Sequence, residues 1–239
     1  MNTTAKLALG AVAVVAIALL GIRFLAPGSL SVGGDPEPTA TNSPTATPSE
    51  IPLGERSMDA GRYWLGPDFP VEITFDLPAG WSSCSNGVLE QGACRGIGTT
   101  DAPGGVGVGF LIVDTVVADP CDATSLLDPP VGPSIDDLAT AIANLPGFEA
   151  TPVEDVSIDG FDAKRFTITA PEDPACDTLF TWATPTRTNG VGPGEANLIH
   201  AIDVDGVRVM LTSAYFGSQV SEQDLSLVEE VIASIRIEP

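Results

Sequence analysis

Residues 198–214, LIHAIDVDGVRVMLTSA, decide the fold because they describe two strands joined by a tight turn. Apolar and polar residues alternate before and after Asp205-Gly206, which is the pattern of strands with one face in a core. Asp and Gly tolerate the positive φ angles that two-residue hairpin turns require. A second stretch, VEDVSIDGFDAKRFTI at residues 153–168, repeats this arrangement around Asp159-Gly160. The sequence therefore predicts two antiparallel hairpins.

Two helices and further strands are predicted around these hairpins. Ser134 to Asp137 and Ser221 to Asp224 have the spacing of capping boxes, and each precedes apolar residues at helical intervals. Short runs of β-forming residues predict additional strands at 71–77, 106–117 and 234–237. Strands that dominate the chain, with two helices among them, indicate an α+β domain in which helices pack on an antiparallel sheet.

The order of these elements resembles that of the PsbP/Mog1-like α/β/α sandwich, and of exported domains of that kind in high-GC bacteria. The residues that carry the likeness lie within 60–239: Pro78-Ala79-Gly80-Trp81, Asp159 to Phe166, Asp205-Gly206 and Ser234-Ile235-Arg236-Ile237. The resemblance implies an antiparallel sheet between helical layers and an accessory, binding or scaffold role without catalysis. It brings no catalytic residues and no cofactor to this chain. The cysteines of this chain depart from the family pattern.

An apolar run at residues 7–25, LALGAVAVVAIALLGIRFL, predicts one transmembrane helix. Such a helix would be about 28 Å long, close to the ~30 Å thickness of the hydrocarbon layer. Residues 1–6 precede it with Lys6 and no acidic residue, which favours a cytoplasmic N-terminus. A cleaved signal peptide is the alternative, but Phe24-Leu25-Ala26 followed by Pro27 is a poor cleavage site. We expect an uncleaved signal anchor in a bacterial plasma membrane, single-pass, with the C-terminal part outside.

Residues 26–58 are rich in Pro, Thr and Ser and predict a disordered linker. Their composition offers too little apolar surface to offset the entropy of ordering the chain. It is also the composition of O-glycosylated stalks, so glycosylation stays open. Residues 59–239 are enough for one extracytoplasmic domain with its own core. The layout is that of a domain held on a stalk outside a membrane.

The chain carries a formal net charge of −22. Such a charge repels the phosphate backbone, so nucleic acid is excluded as an expected partner. It suits cations or basic partners, or serves solubility alone.

Four cysteines, Cys84, Cys94, Cys121 and Cys176, all follow the predicted linker. An even number outside a membrane predicts two disulfides with three possible connectivities. We favour Cys84 with Cys94 across a short loop and Cys121 with Cys176. No C-x-x-C motif occurs and the chain has one histidine, so no metal site is predicted.

No catalytic constellation is evident in the sequence. His200 is the only histidine and alternates with apolar residues, which favours a half-buried sheet position. Neither a G-x-S-x-G elbow nor a zincin motif is present. Gly104 to Phe110 matches no nucleotide-binding motif and is interpreted as a strand whose small residues pack under another element.

Two charged clusters remain as weaker candidates. Asp119, Asp122 and Asp128 lie around Cys121 in one loop, where a bound cation is an alternative to a merely acidic surface. Lys164-Arg165 could bind an anionic group or pair with neighbouring carboxylates, and pairing is the expected outcome.

These features favour a membrane-tethered extracytoplasmic binding or interaction domain that is not an enzyme. Its partner is expected to be a protein, a cell-wall component or a small molecule, and the sequence does not distinguish among them. One alternative is a sensor-type ectodomain of a transmembrane signalling protein, although only about six residues precede the span. Another is a carboxylate-dependent hydrolase, although no pair of acidic residues stands out.

Overall fold

The computed structural model describes residues 47–52, 55–84, 88–92, 94, 105–217 and 219–238. The predicted N-terminus at 1–6, the predicted span at 7–25 and most of the predicted linker at 26–58 lie outside these residues. Within them, no helix has the length and the apolar content needed to cross a membrane.

The described residues form strands and two helices, and their bounds in chain order are β1 (Ser49–Glu50), β2 (Arg56–Met58), β3 (Gly61–Trp64), β4 (Glu72–Leu77), β5 (Trp81–Ser83), β6 (Val88–Gln91), β7 (Val106–Ile112), β8 (Thr115–Val116), α1 (Ile135–Ala143), β9 (Glu149–Ala150), β10 (Glu154–Ile158), β11 (Phe161–Thr169), β12 (Leu179–Ala183), β13 (Thr188–Val191), β14 (Glu195–Val204), β15 (Val207–Phe216), α2 (Glu222–Ser234) and β16 (Arg236–Glu238).

A large antiparallel sheet, here called the main sheet, organises the fold. Its strand order is β10-β11-β14-β15-β7-β6-β5-β2, and β9 pairs with β11 beside this path. Both predicted hairpins are confirmed as β10–β11 and β14–β15. Asp205 and Gly206 have φ angles of 50° and 86°, and Asp159 and Gly160 have 49° and 89°. These positive values are what a tight turn between twisted strands requires.

The two predicted helices cover opposite faces of the main sheet. Both capping boxes form, with Ser134 Oγ accepting from the Asp137 N–H at 3.0 Å and Ser221 Oγ accepting from the Asp224 N–H at 3.1 Å. α1 packs in a hydrophobic cluster that includes Ile199, an odd-numbered position of β14. The cluster around α2 instead contains β14 residues at even-numbered positions. Because neighbouring strand residues point to opposite faces, the two helices lie on different sides.

Two smaller sheets complete the layers. β1, β3, β4 and β16 form one sheet, and its Ile73, Phe75 and Ile237 pack in the same core cluster as α2. β13, β12 and β8 form the other, and its Val116 and Trp182 pack in the same cluster as α1. The fold is therefore rich in antiparallel sheet with two helices, as the sequence predicts.

Two features of the structure differ in detail from the sequence expectations. The linker was expected to extend to residue 58, but β1 and β2 pair with β3 and β5, and Ile51 and Met58 are buried. These strands are short and polar, so their order comes from partners distant in sequence rather than from their own apolar content. The β-rich run expected at 106–117 is divided into β7 and β8, which belong to different sheets. The chain changes sheets at Asp114, whose N–H donates to the Ala183 carbonyl at 2.9 Å.

The structure contains two disulfides, Cys84–Cys94 and Cys121–Cys176, with sequence separations of 10 and 55 residues. This is the connectivity favoured from the sequence. The first lies beside the main sheet, where Cys84 directly follows β5.

Candidate functional site

A cavity of about 450 Å³ lies on the α1 side of the main sheet. Its floor, here called the cavity floor, is formed by residues of four neighbouring strands, β14, β15, β7 and β6. Strand register places them in two rows: Asn197, Ala214, Gly107 and Glu90 in one, and Thr212, Gly109 and Val88 in the other. The walls come from Trp182, Asn189 and Gly190 of the small sheet and from Cys84 and Cys94, and Glu55 and Arg187 lie exposed at the rim.

The centre of the cavity floor is open because β7 has glycines there, whereas Leu111 of the same strand lines the cavity further along. Each row crosses β7 at a glycine, Gly107 or Gly109. A Cβ atom on Gly109 would lie 3.6 Å from Thr212 Cγ2 and 3.8 Å from Val88 Cγ2, which are ordinary contact distances. The strand expected around Gly104 to Phe110 is present from Val106 onwards as β7, and its Gly107 and Gly109 line a cavity.

A chain of buried polar groups runs along one end of the cavity floor. Thr212 Oγ1 donates to Asn197 Oδ1 at 3.2 Å, and Asn197 Nδ2 donates to Glu195 Oε1 at 3.1 Å. The second carboxyl oxygen, Oε2, accepts from the Gly192 N–H at 2.9 Å. Glu195 is 4% exposed and Asn197 is 2% exposed. The carboxyl is thus held in place by two neutral donors at a largely buried position on the cavity lining.

Burial controls the ionisation of this carboxyl. Removal from water raises the pKa of Glu195 to about 7, although the hydrogen bonds from Gly192 and Asn197 act in the opposite direction. At neutral pH the carboxyl is therefore present in both its protonated and its charged form. Such a group can accept a hydrogen bond or an ion pair from a ligand, and can release a proton when it does.

A second buried carboxyl, that of Glu90, lies at the opposite end of the cavity floor. Glu90 and Asn197 occupy the same row, three strand spacings apart. At ~4.8 Å for each spacing, the Cα atoms of Glu90 and Asn197 are about 14 Å apart; Glu195 lies two residues along β14 from Asn197, so its Cα is on the order of 16 Å from that of Glu90. The two carboxyls therefore mark the two ends of the cavity floor.

His200 lies on the other face of the main sheet and takes no part in the cavity. It shares a face with Leu198 and Ile202, as expected, but it is 3% exposed instead of half-buried. Burial, and secondarily the charge of Arg165 on the adjacent strand, lowers the pKa of His200 to about 4. Its side chain is therefore a neutral core residue at physiological pH.

The acidic loop around Cys121 uses its carboxylates locally. Asp119 Oδ1 accepts from the Cys121 N–H at 2.9 Å, and Asp122 Oδ1 accepts from the N–H and the hydroxyl of Thr124 at 2.8 and 2.7 Å. The hydrogen bond from the Thr124 hydroxyl lowers the pKa of Asp122. In the part of the chain that the structure describes, no group of three His, Cys, Asp or Glu side chains is placed to hold a metal ion.

The Lys164-Arg165 pair is engaged by carboxylates. Lys164 Nζ lies 2.6 Å from Asp136 on α1 and 2.5 Å from Asp155 on β10, and Arg165 lies 2.8 Å from Glu229 on α2. These contacts connect the helices to the main sheet, and the alternative of an anion site receives no support.

The sequence did not lead us to predict Glu195, Asn197 and Thr212 as site residues. A usable indication was present, because Glu195 and Asn197 have the same parity as Ile199 and Ala201, which face the core. Polar residues at core-facing positions of a strand are costly unless they are paired or functional. The register that places Thr212 and the glycines beside them could not be obtained from this pattern.

Comparison with known proteins yields little. No protein-family model matches the chain, and no curated protein matches it. Among solved structures, the chain is similar to LpqN of Mycobacterium tuberculosis, a protein described as involved in cell envelope biogenesis. The two are 16% identical, the match covers 75% of this chain and 91% of that chain, and the TM-score is 0.33. A similarity of this size carries no argument about fold or function.

Proposed function

We propose that the folded domain is a non-catalytic binding domain that holds a small molecule in its cavity outside a bacterial plasma membrane. The observation that carries this proposal is the cavity itself, with a buried, hydrogen-bonded carboxyl at one end of its floor. The sequence left three kinds of partner open, a protein, a cell-wall component and a small molecule, and the cavity favours the small molecule.

The size and lining of the cavity support a small-molecule ligand. Its volume of about 450 Å³ lies within the ~300–1,000 Å³ of known ligand sites. Small and apolar residues share the cavity lining with polar groups, and three of the polar groups, Glu195, Asn197 and Thr212, are fixed by hydrogen bonds at one end. Polar groups that are fixed in place beside small and apolar residues can orient a bound molecule.

The arrangement of acidic groups supports a binding role over hydrolysis. Carboxylate-dependent glycosidases place two carboxyls roughly 5 to 10 Å apart across the scissile bond. Glu90 and Glu195 stand at opposite ends of the cavity floor, and the Glu195 carboxyl is held beside its own strand by hydrogen bonds from Gly192 and Asn197. His200, which could serve as a base, lies on the other face of the main sheet.

The location and the finer fold assignment are part of the same proposal. Two disulfides are typical of proteins outside the reducing cytoplasm, which supports export. The apolar run at 7–25 would then be the anchor. A helix on each face of an antiparallel sheet supports the resemblance to PsbP/Mog1-like sandwiches.

The proposal can be tested by native mass spectrometry of the full chain, purified from membranes and released from detergent. We expect a mass above that of the polypeptide, and the excess should disappear on denaturation. The variant Gly109→Leu, which places a large side chain on the cavity floor, should lose the excess mass. Gly109→Ala serves as the control, because its methyl group fits at ordinary contact distances and leaves most of the cavity open. Wild-type protein that carries no excess mass, even after incubation with a total metabolite extract, would contradict the proposal.

A further inference from the structure

We infer that the cavity binds a small organic cation, an amine on an apolar body, whose ammonium group forms an ion pair with Glu195. The inference rests on the proposed function and specifies its ligand class. It depends on the surroundings of Glu195, on the shape of the cavity and on the charge of the domain.

The first argument is the environment of the Glu195 carboxyl. Its two hydrogen-bond donors, the Gly192 N–H and Asn197 Nδ2, are both neutral. Among the described residues no Lys, Arg or His nitrogen lies within ion-pair distance of it. A carboxyl has about four lone-pair positions, and these donors use two of them. A ligand ammonium group supplies both the missing charge and additional donors.

The second argument concerns the kind of cation. One carboxyl with neutral donors does not form a metal-binding set, because hard cations take six or more oxygen ligands. An amine needs only one such carboxyl, and its apolar part needs an apolar surface. Gly107, Gly109, Ala214 and Val88 provide that surface along the cavity floor. The ligand therefore lies with its ammonium group at Glu195 and its body over the glycines.

The third argument is the charge around the cavity. The other charged groups that line it are Glu90 within it and Glu55 and Arg187 at the rim, and Glu172 lies beside Gly194. Acidic groups are in the majority, and the whole chain has a net charge of −22. A field of this sign attracts cations and repels anions from the cavity mouth.

Binding of an amine to this site is coupled to proton release. The ammonium group pairs with the carboxylate, so a protonated Glu195 must first lose its proton to the solvent. Because the pKa of Glu195 is about 7, the apparent affinity should fall about tenfold for each pH unit below 7. An uncharged ligand of the same shape requires no such release.

Isothermal titration calorimetry of the full chain in lipid nanodiscs can test the inference, with empty nanodiscs as the blank. The probes are 2-phenylethylamine and hexylamine, their alcohol counterparts 2-phenylethanol and hexan-1-ol, and the anion 3-phenylpropionate. We expect both amines to bind more tightly than their alcohols, with no binding of the anion. The heat of amine binding below neutral pH should change with the ionisation enthalpy of the buffer, since a proton is released.

Variants separate the role of Glu195 from a general charge effect. Glu195→Gln keeps the shape of the side chain and should weaken amine binding about 10- to 150-fold, the range expected for the loss of a hydrogen bond to a charged group. It should weaken alcohol binding far less, because an alcohol loses no ion pair. Glu149→Gln removes the same charge from an exposed site outside the cavity and should have no effect.

Three results would overturn the inference: amines that bind no better than alcohols, amines that bind equally well to Glu195→Gln, or the absence of amine binding. None of these would by itself overturn the proposed function. If native mass spectrometry still shows a retained molecule that Gly109→Leu loses, the cavity binds a ligand of another class. If no molecule is retained either, both proposals fail.

Discussion

Asn197 donates through Nδ2 to Oε1 of Glu195 at 3.1 Å, on the same strand and the same face of the main sheet. The amide of Asn197 is oriented in turn by Thr212 Oγ1, which donates to its carbonyl oxygen. This relay fixes the direction of a carboxyl that is almost completely removed from water. Its ionisation is consequently tied both to the stability of the domain and to what occupies the cavity.

The first prediction concerns the pH dependence of stability that Glu195 creates. The folded chain keeps the Glu195 proton up to a pH of about 7, whereas the unfolded chain releases it near the ordinary pKa of 4.5. Stability should therefore fall as pH rises through this window, by about 3 kcal/mol in total. Glu195→Gln removes this dependence. The unfolding free energy of the variant minus that of wild type should therefore increase by about 3 kcal/mol between about pH 4 and about pH 8.

Urea denaturation of wild type and Glu195→Gln across this pH range measures the effect. Glu149→Gln, at an exposed position, should follow the wild-type curve throughout. Parallel curves for wild type and Glu195→Gln would show that Glu195 ionises normally in the folded domain.

The second prediction concerns His200, whose effect has the opposite sign. The unfolded chain takes up a proton on this histidine below about pH 6.5, but the folded chain resists protonation down to a pKa of about 4. The contribution of neutral His200 to the unfolding free energy is thus fully present above pH 6.5. It decreases by about 3 kcal/mol as the pH falls. His200→Gln should be less sensitive to acid than wild type.

The slopes from Glu195 and His200 oppose each other between the pKa values of 4.5 and 6.5. In that window the two contributions should cancel, and each single variant should reveal the slope of the other residue. Denaturation midpoints of the two single variants and the double variant provide the comparison. Single variants that slope in the same direction would contradict the assignment.

The third prediction concerns glycines with different backbone requirements. Gly109→Ala places its Cβ at ordinary contact distances and should stabilise the domain by about 0.5–1 kcal/mol, because alanine loses less backbone entropy in a strand. Gly160 has a φ of 89°, so Gly160→Ala should destabilise by about 1–2 kcal/mol. Thermal unfolding of both variants distinguishes the two sites. A destabilised Gly109→Ala would mean that the cavity floor has no room for a methyl group.

The fourth prediction compares the two disulfides. In the chain-entropy model, the loop of 55 residues closed by Cys121–Cys176 contributes about 4 kcal/mol, and the loop of 10 residues closed by Cys84–Cys94 contributes about 3 kcal/mol. Replacing each pair by serine should therefore destabilise the domain in that order. Only the Cys84/Cys94 replacement should also change ligand binding, because that pair lines the cavity. Chemical denaturation measures the stability of the two double variants, and calorimetry measures their ligand binding. Loss of binding in the Cys121/Cys176 variant alone would contradict this account.

Local patterns in the sequence were sufficient for the hairpins and the helices. Asp159-Gly160 and Asp205-Gly206 specify their turns through backbone conformation, and Ser134 and Ser221 specify helix starts through hydrogen bonds within three residues. Strands such as β1, β2, β5 and β13 were missed because they are two to four residues long and depend on distant partners.

The cavity could not be predicted for the same reason. Gly107 and Gly109 indicated a strand of small residues, but their effect depends on which residues lie opposite them. Only the register of β7 with β15 and β6 brings them beside Thr212 and Glu90. The polarity of Glu195 at a core-facing position was visible in the sequence, but the space above it was not.

The most direct test of the account is a crystal structure of the folded domain, prepared without unfolding so that any bound molecule is retained. The account predicts electron density for a molecule that is not protein, lying over Gly107 and Gly109 with a polar group within hydrogen-bond distance of Glu195. A cavity that holds only ordered water, or that is filled by side chains of the protein itself, would contradict it.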